Sequence, residues 1–357
     1  MAAFAALLVL IVGGLLLGGG DDDRRSGGPE DGDEPSTTLE RSTSTTRRAT
    51  TTSSTSTTAV LGPILPGSSG AAVLVESDST GRWMWLDLDT GLLRPVEVPT
   101  EDPYNLVAAR GGVVLVLGGG DAVYVPLPEG EHVELGRADL VVSSGLPDAV
   151  WLVRMGTGRE QPGGTETSAQ LVGLDGSVRA DLTVPQLTYP AGGTAEGLVF
   201  TAGGRTYLAR SEGVQQLGVG EALAVEDPFV VVVACDERAE CAPEVIDIRT
   251  GRRRTVPGVG NPHQHGIGVL VSPTGEIAVT DYDGARGLSV YDASGRLAGA
   301  SAGYLAELPM RWLPNGAGLV AAGQPLAIVR PDGEGGLVRE PIEGVDLRPD
   351  LVFVIPG

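Results

Sequence analysis

IGVLVSPTGEIAVTDYDGARGLSVYDASGRLAG, residues 267–299, is the stretch from which the fold is read. Its first apolar run, 267–271, stops at Ser272-Pro273-Thr274-Gly275, a tetrapeptide suited to a tight reversal. A second run covers 276–280 and a third 288–291. Ala293-Ser294-Gly295 then reverses the chain into a fourth run at 296–299. Short runs rich in Val and Ile, punctuated by Gly, predict four antiparallel strands joined by tight turns.

The same pattern recurs on both sides. An apolar strand ending in a Gly turn is found at Trp85-Leu86-Asp87-Leu88-Asp89-Thr90-Gly91, at Val123-Tyr124-Val125 before Gly130, and at Leu171-Val172-Gly173-Leu174-Asp175-Gly176. It returns at Tyr207-Leu208-Ala209 before Gly213, at Val245-Ile246-Asp247-Ile248-Arg249-Thr250-Gly251, at Val290-Tyr291-Asp292 before Gly295, and at Ile328-Val329-Arg330-Pro331-Asp332-Gly333. Successive turn glycines are 39, 46, 37, 38, 44 and 38 residues apart, a mean of about 40. A period of that length with several strands per unit predicts an all-β, seven-bladed β-propeller, with six or eight blades as the alternatives. A four-stranded blade cannot bury both faces alone, and radial packing in a closed ring covers them. The first unit lacks an innermost strand, because residues 71–75 begin straight after a linker. A spare strand at 351–355 is expected to complete it and close the ring.

Residues 71–357 resemble bacterial β-propeller proteins of the broad WD40- and YVTN-like repeat type. The likeness is carried by Val271-Ser272-Pro273-Thr274-Gly275-Glu276-Ile277-Ala278-Val279 with Leu288-Ser289-Val290-Tyr291-Asp292. The Trp-Asp dipeptide of that repeat type is absent, so the resemblance implies a fold and no particular family.

Composition agrees with many small strands. The chain has 357 residues, 41% hydrophobic but only 4% aromatic, with 54 Gly and 25 Pro. Its core must therefore be built from Val, Leu, Ala and Ile. The formal net charge is −21, a field that repels nucleic acid and anionic headgroups. All 25 basic residues are Arg, a usage expected of a GC-rich bacterial genome.

The amino-terminal region reads separately. Residues 2–20 are almost wholly apolar and stop at Asp21-Asp22-Asp23. As a helix they reach roughly 28 Å, the short end of a membrane span. A cleaved signal peptide is the rival reading, but no basic segment precedes the run. No Cys follows it to accept a lipid. The expectation is a single-pass transmembrane helix in the cell membrane. Arg24 and Arg25 alone would place the body in the cytoplasm. The cysteine pair, the stalk and the acidic body argue for the extracytoplasmic side. Residues 21–70, with a Ser/Thr-rich tract at 41–58, read as a disordered linker.

Chemistry-bearing residues are few. Cys235 and Cys241 flank a short loop between two Val/Ile runs and are expected to form a disulfide, which implies an oxidising compartment. His263 and His265 share a face if their segment is a strand, but a third metal ligand is not evident, and they read as surface or channel-lining side chains. Gly299-Ala300-Ser301-Ala302-Gly303 fits a nucleophile pattern, yet no His follows Ser301. Asp281-Tyr282-Asp283-Gly284 opens like a Ca²⁺ loop without its later acceptors. Asp87 and Asp89 read as a solvated strand end. Arg252-Arg253-Arg254 is the one dense basic run and reads as a solvated hairpin strand. No cofactor and no catalytic set is expected. The functional expectation is a membrane-tethered, non-catalytic binding or scaffold module for a protein, polymer or small ligand. The alternative is a propeller-type enzyme, a lyase, lactonase or glycan hydrolase, with an axial active site.

Overall fold

The computed structural model describes residues 58–65, 71–77, 82–99, 105–155, 167–184, 189–235, 240–257, 259, 267–281, 287–301, 309–322, 325–345 and 349–357. Every regular element among them is a strand. The expected membrane helix at 2–20 lies outside the described residues, and no helix among the described residues is long and apolar enough to cross a membrane.

The chain folds into small antiparallel meanders, each a run of consecutive strands. The first holds β1 (Ala59–Val60), β2 (Ala72–Ser77), β3 (Arg82–Asp87) and β4 (Leu92–Val96). Next come β5 (Leu106–Ala109), β6 (Gly112–Val116), β7 (Asp121–Pro126) and β8 (Val133–Arg137). The third is β9 (Leu140–Ser143), β10 (Ala149–Arg154), β11 (Thr167–Gly173) and β12 (Val178–Val184). The fourth is β13 (Tyr189–Thr194), β14 (Gly197–Ala202), β15 (Arg205–Arg210) and β16 (Gly213–Val219). The fifth is β17 (Ala222–Glu226), β18 (Phe229–Cys235), β19 (Cys241–Asp247) and β20 (Arg253–Thr255).

The opening stretch of the sequence analysis is β21 (Ile267–Val271), β22 (Ile277–Asp281), β23 (Gly287–Tyr291) and β24 (Leu297–Ser301). The last meander is β25 (Met310–Trp312), β26 (Leu319–Ala321), β27 (Ala327–Pro331) and β28 (Gly335–Pro341), after which β29 (Pro349–Ile355) ends the chain. The architecture is a β-propeller.

The spare carboxy-terminal strand is used as expected. β29 pairs antiparallel with β2, Ala72 opposite Ile355 and Leu74 opposite Phe353. The first sheet therefore draws strands from both ends of the described chain, in the order β1-β4-β3-β2-β29. Ala72, Val73, Leu74 and Val75 are fully buried within it.

One boundary differs from the sequence reading. Residues 58–65 fall inside the 21–70 linker, yet they lie on the first sheet. Ala59 and Val60 pair with Leu93 and Leu92. The Ile64 and Leu65 N–H groups both donate to the Leu88 carbonyl. Leu61, Ile64 and Leu65 pack on the first sheet's core, so apolar burial recruits a segment that follows directly on a Ser/Thr tract.

The repeat glycines have a common job. Gly91, Gly130, Gly176, Gly213, Gly251, Gly295 and Gly333 all adopt positive φ at the reversal from a unit's third strand to its fourth. That conformation disfavours any residue with a Cβ. In five of these turns an Asp carboxylate ties down the loop backbone. Asp87 accepts from the Thr90 N–H at 2.8 Å and Asp175 from Ser177 at 3.0 Å. Asp247 accepts from Arg249, Asp292 from Ser294 and Arg296, and Asp332 from Glu334 and Gly336.

Packing occurs between neighbouring meanders. Val113, Leu115 and Val123 of the second meet Leu74, Trp83 and Trp85 of the first. Leu313, Val320 and Ile328 of the last meet Val73, Leu86 and Leu93 of that same first sheet from its other side. The sixth and last meanders are also joined at their outer edges, where β24 and β28 pair in parallel through Gly299 with Gly335 and Ala300 with Gly336. A Cβ on Gly299 would stand 2.3 Å from the Gly336 carbonyl oxygen, so the seam needs glycine there.

The β29 contribution can be measured. Val352, Phe353 and Ile355 are each at most 8% exposed. Burial of three such side chains supplies about 6 kcal/mol, comparable to a domain's whole stability. Deleting residues 349–357 is expected to abolish the cooperative thermal transition seen by calorimetry. Val60→Asp, at a position 74% exposed, is the control and should leave the melting temperature within about 2 °C.

Candidate axial site

The first strands of successive meanders lie side by side. β29 neighbours β5, β5 neighbours β9, β9 neighbours β13, and β13 neighbours β17; β17 then neighbours β21, β21 neighbours β25, and β25 returns to β29. These strands are the innermost of their sheets and surround an axis. Their outgoing turns are knitted together on one end face. The Gly111 N–H donates to the Pro356 carbonyl, Arg110 N–H to Pro147, and Ala195 N–H to Asp227 Oδ1 at 2.9 Å.

The innermost strands are mostly Ala, Val, Leu and Gly. Their charged residues are Glu226, Arg311 and Asp350. Glu226 ends β17 and Arg311 precedes the last residue of β25, so both stand toward the end face that the turns build.

Alternation along β25 sets the direction of Arg311. Met310 and Trp312 pack toward the sixth meander, against Ala278, Leu288 and Val290. Arg311 points the other way, toward β29. Its guanidinium carbon lies 6.0 Å from the centroid of the Phe353 ring. That ring belongs to the cluster between the first and second meanders and is tilted against Trp83 at 6.1 Å. The Arg311 side chain therefore crosses the inner edge of β29, which places it in the axial passage. Its Nη1 donates to the Met310 carbonyl at 2.8 Å. Water reaches the side chain, yet protein crowds it from most directions. Desolvation accordingly lowers its pKa, though a guanidinium stays charged at any ordinary pH.

Glu226 has the same combination of an open surface and a crowded setting, as expected of a concave position. Desolvation first, and the neighbouring Asp227 second, push its carboxyl up to about 7. Asp227 is itself engaged, accepting from Ala195 N–H and pairing with Arg249. No ion pair joins Glu226 to Arg311.

The residues singled out from sequence are dispersed. Cys235 and Cys241 are bonded to each other across β18 and β19, as expected, with Cα atoms 3.9 Å apart. His263 and His265 lie outside the described residues. So do Tyr282, Asp283 and Gly284 of the candidate Ca²⁺ loop and Ala302 and Gly303 of the nucleophile pattern. Ser301 ends the outer strand β24, away from the axis. Asp87 caps its own turn and is not merely a solvated strand end.

The Arg252-Arg253-Arg254 run is partly spent on packing. Arg253 pairs with Glu244 at 2.8 Å and donates to the Leu217 carbonyl. Arg254 reaches into the sixth meander, donating to the carbonyls of Asp292 and Gly275. Glu226 and Arg311 were not singled out from sequence. The usable signal was a lone charge inside an apolar first strand, in Ala-Leu-Ala-Val-Glu226 and Met-Arg311-Trp.

No protein-family model and no curated protein matches the chain. Among solved structures it is similar to an acylaminoacyl peptidase from Pyrococcus horikoshii, at 10% identity and a TM-score of 0.49, over 79% of this chain and 52% of that one. The chain thus spans about half of that peptidase. A putative 6-phosphogluconolactonase from Bacteroides uniformis matches at 13% identity and a TM-score of 0.47, over 80% of this chain and 100% of the other. BamB from Moraxella catarrhalis matches at 14% identity and 0.37, over 78% and 84%. At these identities and scores the likenesses carry no argument about activity or partners.

Glu226 generates a pH prediction. Its carboxyl titrates near 7 in the folded chain and near 4.5 when unfolded. Between those values the folded state holds the proton more tightly, so stability falls as pH rises from about 4.5 through 7. Below that window the acid is neutral in both states and contributes nothing. Glu226→Gln should stabilise the chain at pH 8 by about 1 kcal/mol, a figure reduced for the water that reaches the carboxyl, and leave it unchanged at pH 4. Urea unfolding at the two pH values measures the difference.

Proposed function

We propose that this chain is a seven-bladed β-propeller tethered to a cell membrane by residues 2–20, with the propeller on the extracytoplasmic side, acting as a non-catalytic binding module. The count of seven is supported by the ring of neighbouring innermost strands and by one apolar cluster between each pair of successive meanders. In this reading the sixth and last meanders, which the β24–β28 pairing joins into one eight-stranded sheet, are two blades joined at their rims. The tether is supported by the apolar run before Asp21, and the side of the membrane by the Cys235–Cys241 bridge, a bond that persists in oxidising compartments.

The observation that carries the non-catalytic reading is the lining of the axis. Propeller active sites gather polar side chains from several blades at the axial mouth. Here apolar strands surround it, and the charged side chains described on them, Glu226 and Arg311, do not meet. A partner would be a protein, polymer or small ligand of the cell envelope. Nucleic acid would be repelled by the average field of a chain with net charge −21.

A second reading is favoured by one observation. A carboxyl that titrates near 7 is suited to general acid–base work at neutral pH. On that reading Glu226 would serve a propeller-type lyase, lactonase or glycan hydrolase. The neighbouring carboxylate, Asp227, is already held by the Ala195 N–H and Arg249.

Two measurements test these readings. With the full chain in bacterial cells, the protein is expected in the carbonate-washed membrane fraction, and protease added to spheroplasts should remove the propeller. A maleimide–polymer label should shift the chain only after reduction. A propeller protected in intact spheroplasts overturns the placement. Turnover of a lactone or glycan panel that is lost in Glu226→Gln would replace the binding module with the enzyme.

A further inference from the structure

The axial passage contains a cation, Arg311, that has no counter-charge among the described residues. Several arginines meet carboxylates, as in Arg94 with Glu129, Arg179 with Asp148 and Arg330 with Glu340, while others, such as Arg154 and Arg254, are held by backbone carbonyls of neighbouring strands and turns. Acidic residues outnumber basic ones by 46 to 25, so carboxylate partners are plentiful. Arg311 meets none among the described residues. It bonds a backbone carbonyl through Nη1 and rests on the face of Phe353. A guanidinium has five N–H donors in a fixed fork. With Nη1 turned to Met310, the edge formed by Nε and Nη2 has no acceptor among the described residues and suits side-on, bidentate binding of an oxyanion.

We propose that the axial passage beside β25 and β29 binds a small carboxylate-bearing ligand, gripped at the Nε/Nη2 edge of Arg311 with its apolar body against the innermost strands. This rests on the reading of the propeller as a binding module and names the ligand class of its axis.

Three observations select the class. Protein crowds Arg311 from most directions, so a charge-assisted bond there is less diluted by water than at the rim. The partly buried Val354 on the neighbouring strand β29 offers apolar contact to the ligand's body. The strongly negative protein repels a dianion about twice as much as a monoanion, which favours a carboxylate over a phosphate. The location also matters. Arg311 comes from the last meander, and Phe353 from the strand that seals the first, so an occupant would touch both sides of the closure.

The test is calorimetric titration of the full chain in detergent with benzoate, benzamide, phenyl phosphate and benzylamine. Benzoate is expected to bind at one saturable site and benzamide not at all. Arg311→Met, which keeps the aliphatic stem over Phe353, should weaken benzoate at least about tenfold. Arg296→Met is the control and should leave binding unchanged, since Arg296 is a rim side chain 84% exposed. If Arg311→Met fails to fold by circular dichroism, Arg311→Lys retains the charge and loses the fork, and should still bind benzoate more weakly than the unaltered chain.

The proposal is overturned if benzoate shows no saturable binding, if Arg311→Lys or a folded Arg311→Met binds it as well as the unaltered chain, or if phenyl phosphate binds more tightly. Benzylamine binding that is lost in Glu226→Gln but kept in Arg311→Met would also overturn the carboxylate assignment, while leaving the axis as a binding site. Failure of all four probes would leave the envelope-binding reading to its own experiment.

Discussion

Closure of the ring by β29 against β2 is the constraint on which the rest depends. Each meander covers its faces with its two neighbours, so an interruption anywhere uncovers two apolar faces. The second and the last of the described strands meet in the first sheet, where Leu74 pairs with Phe353 and Ala72 with Ile355. Neither strand can form that sheet alone. Closure also creates the axis, because strands lying edge to edge around a ring must leave a passage at its centre. The positions of Arg311 and Glu226 follow from that geometry.

Much of this was legible in the sequence, for a local reason. A turn that needs positive φ selects glycine whatever packs around it, so the glycines mark the blades directly. The Asp one to four residues before several of them is selected just as locally, by loop N–H groups that need an acceptor. The spare strand at 351–355 was legible because the first unit was one strand short. The cysteine bridge was legible because seven residues, counting both cysteines, suffice to form a hairpin loop between two apolar strands.

The axial site was not legible, and its chemistry explains why. No fixed spacing links β17, β25 and β29, since each lies in a different unit and only the ring brings them near one axis. Arg311 looks like one more arginine among 25, and its lack of a carboxylate partner is a property of three-dimensional surroundings. Residues 58–65 were misplaced for a related reason. A Ser/Thr tract runs up to them, and their few apolar side chains acquire meaning only against the first sheet's core.

The glycine seam between β24 and β28 has a consequence for recognition at the rim. An outer strand normally offers unpaired N–H and C=O groups onto which an extended peptide can add. Where Gly299 faces Gly335 and Ala300 faces Gly336, two such edges satisfy each other, and β1 occupies the corresponding edge of β4. A peptide adding itself as a further strand is thereby directed away from this sector, toward β8, β12, β16 or β20.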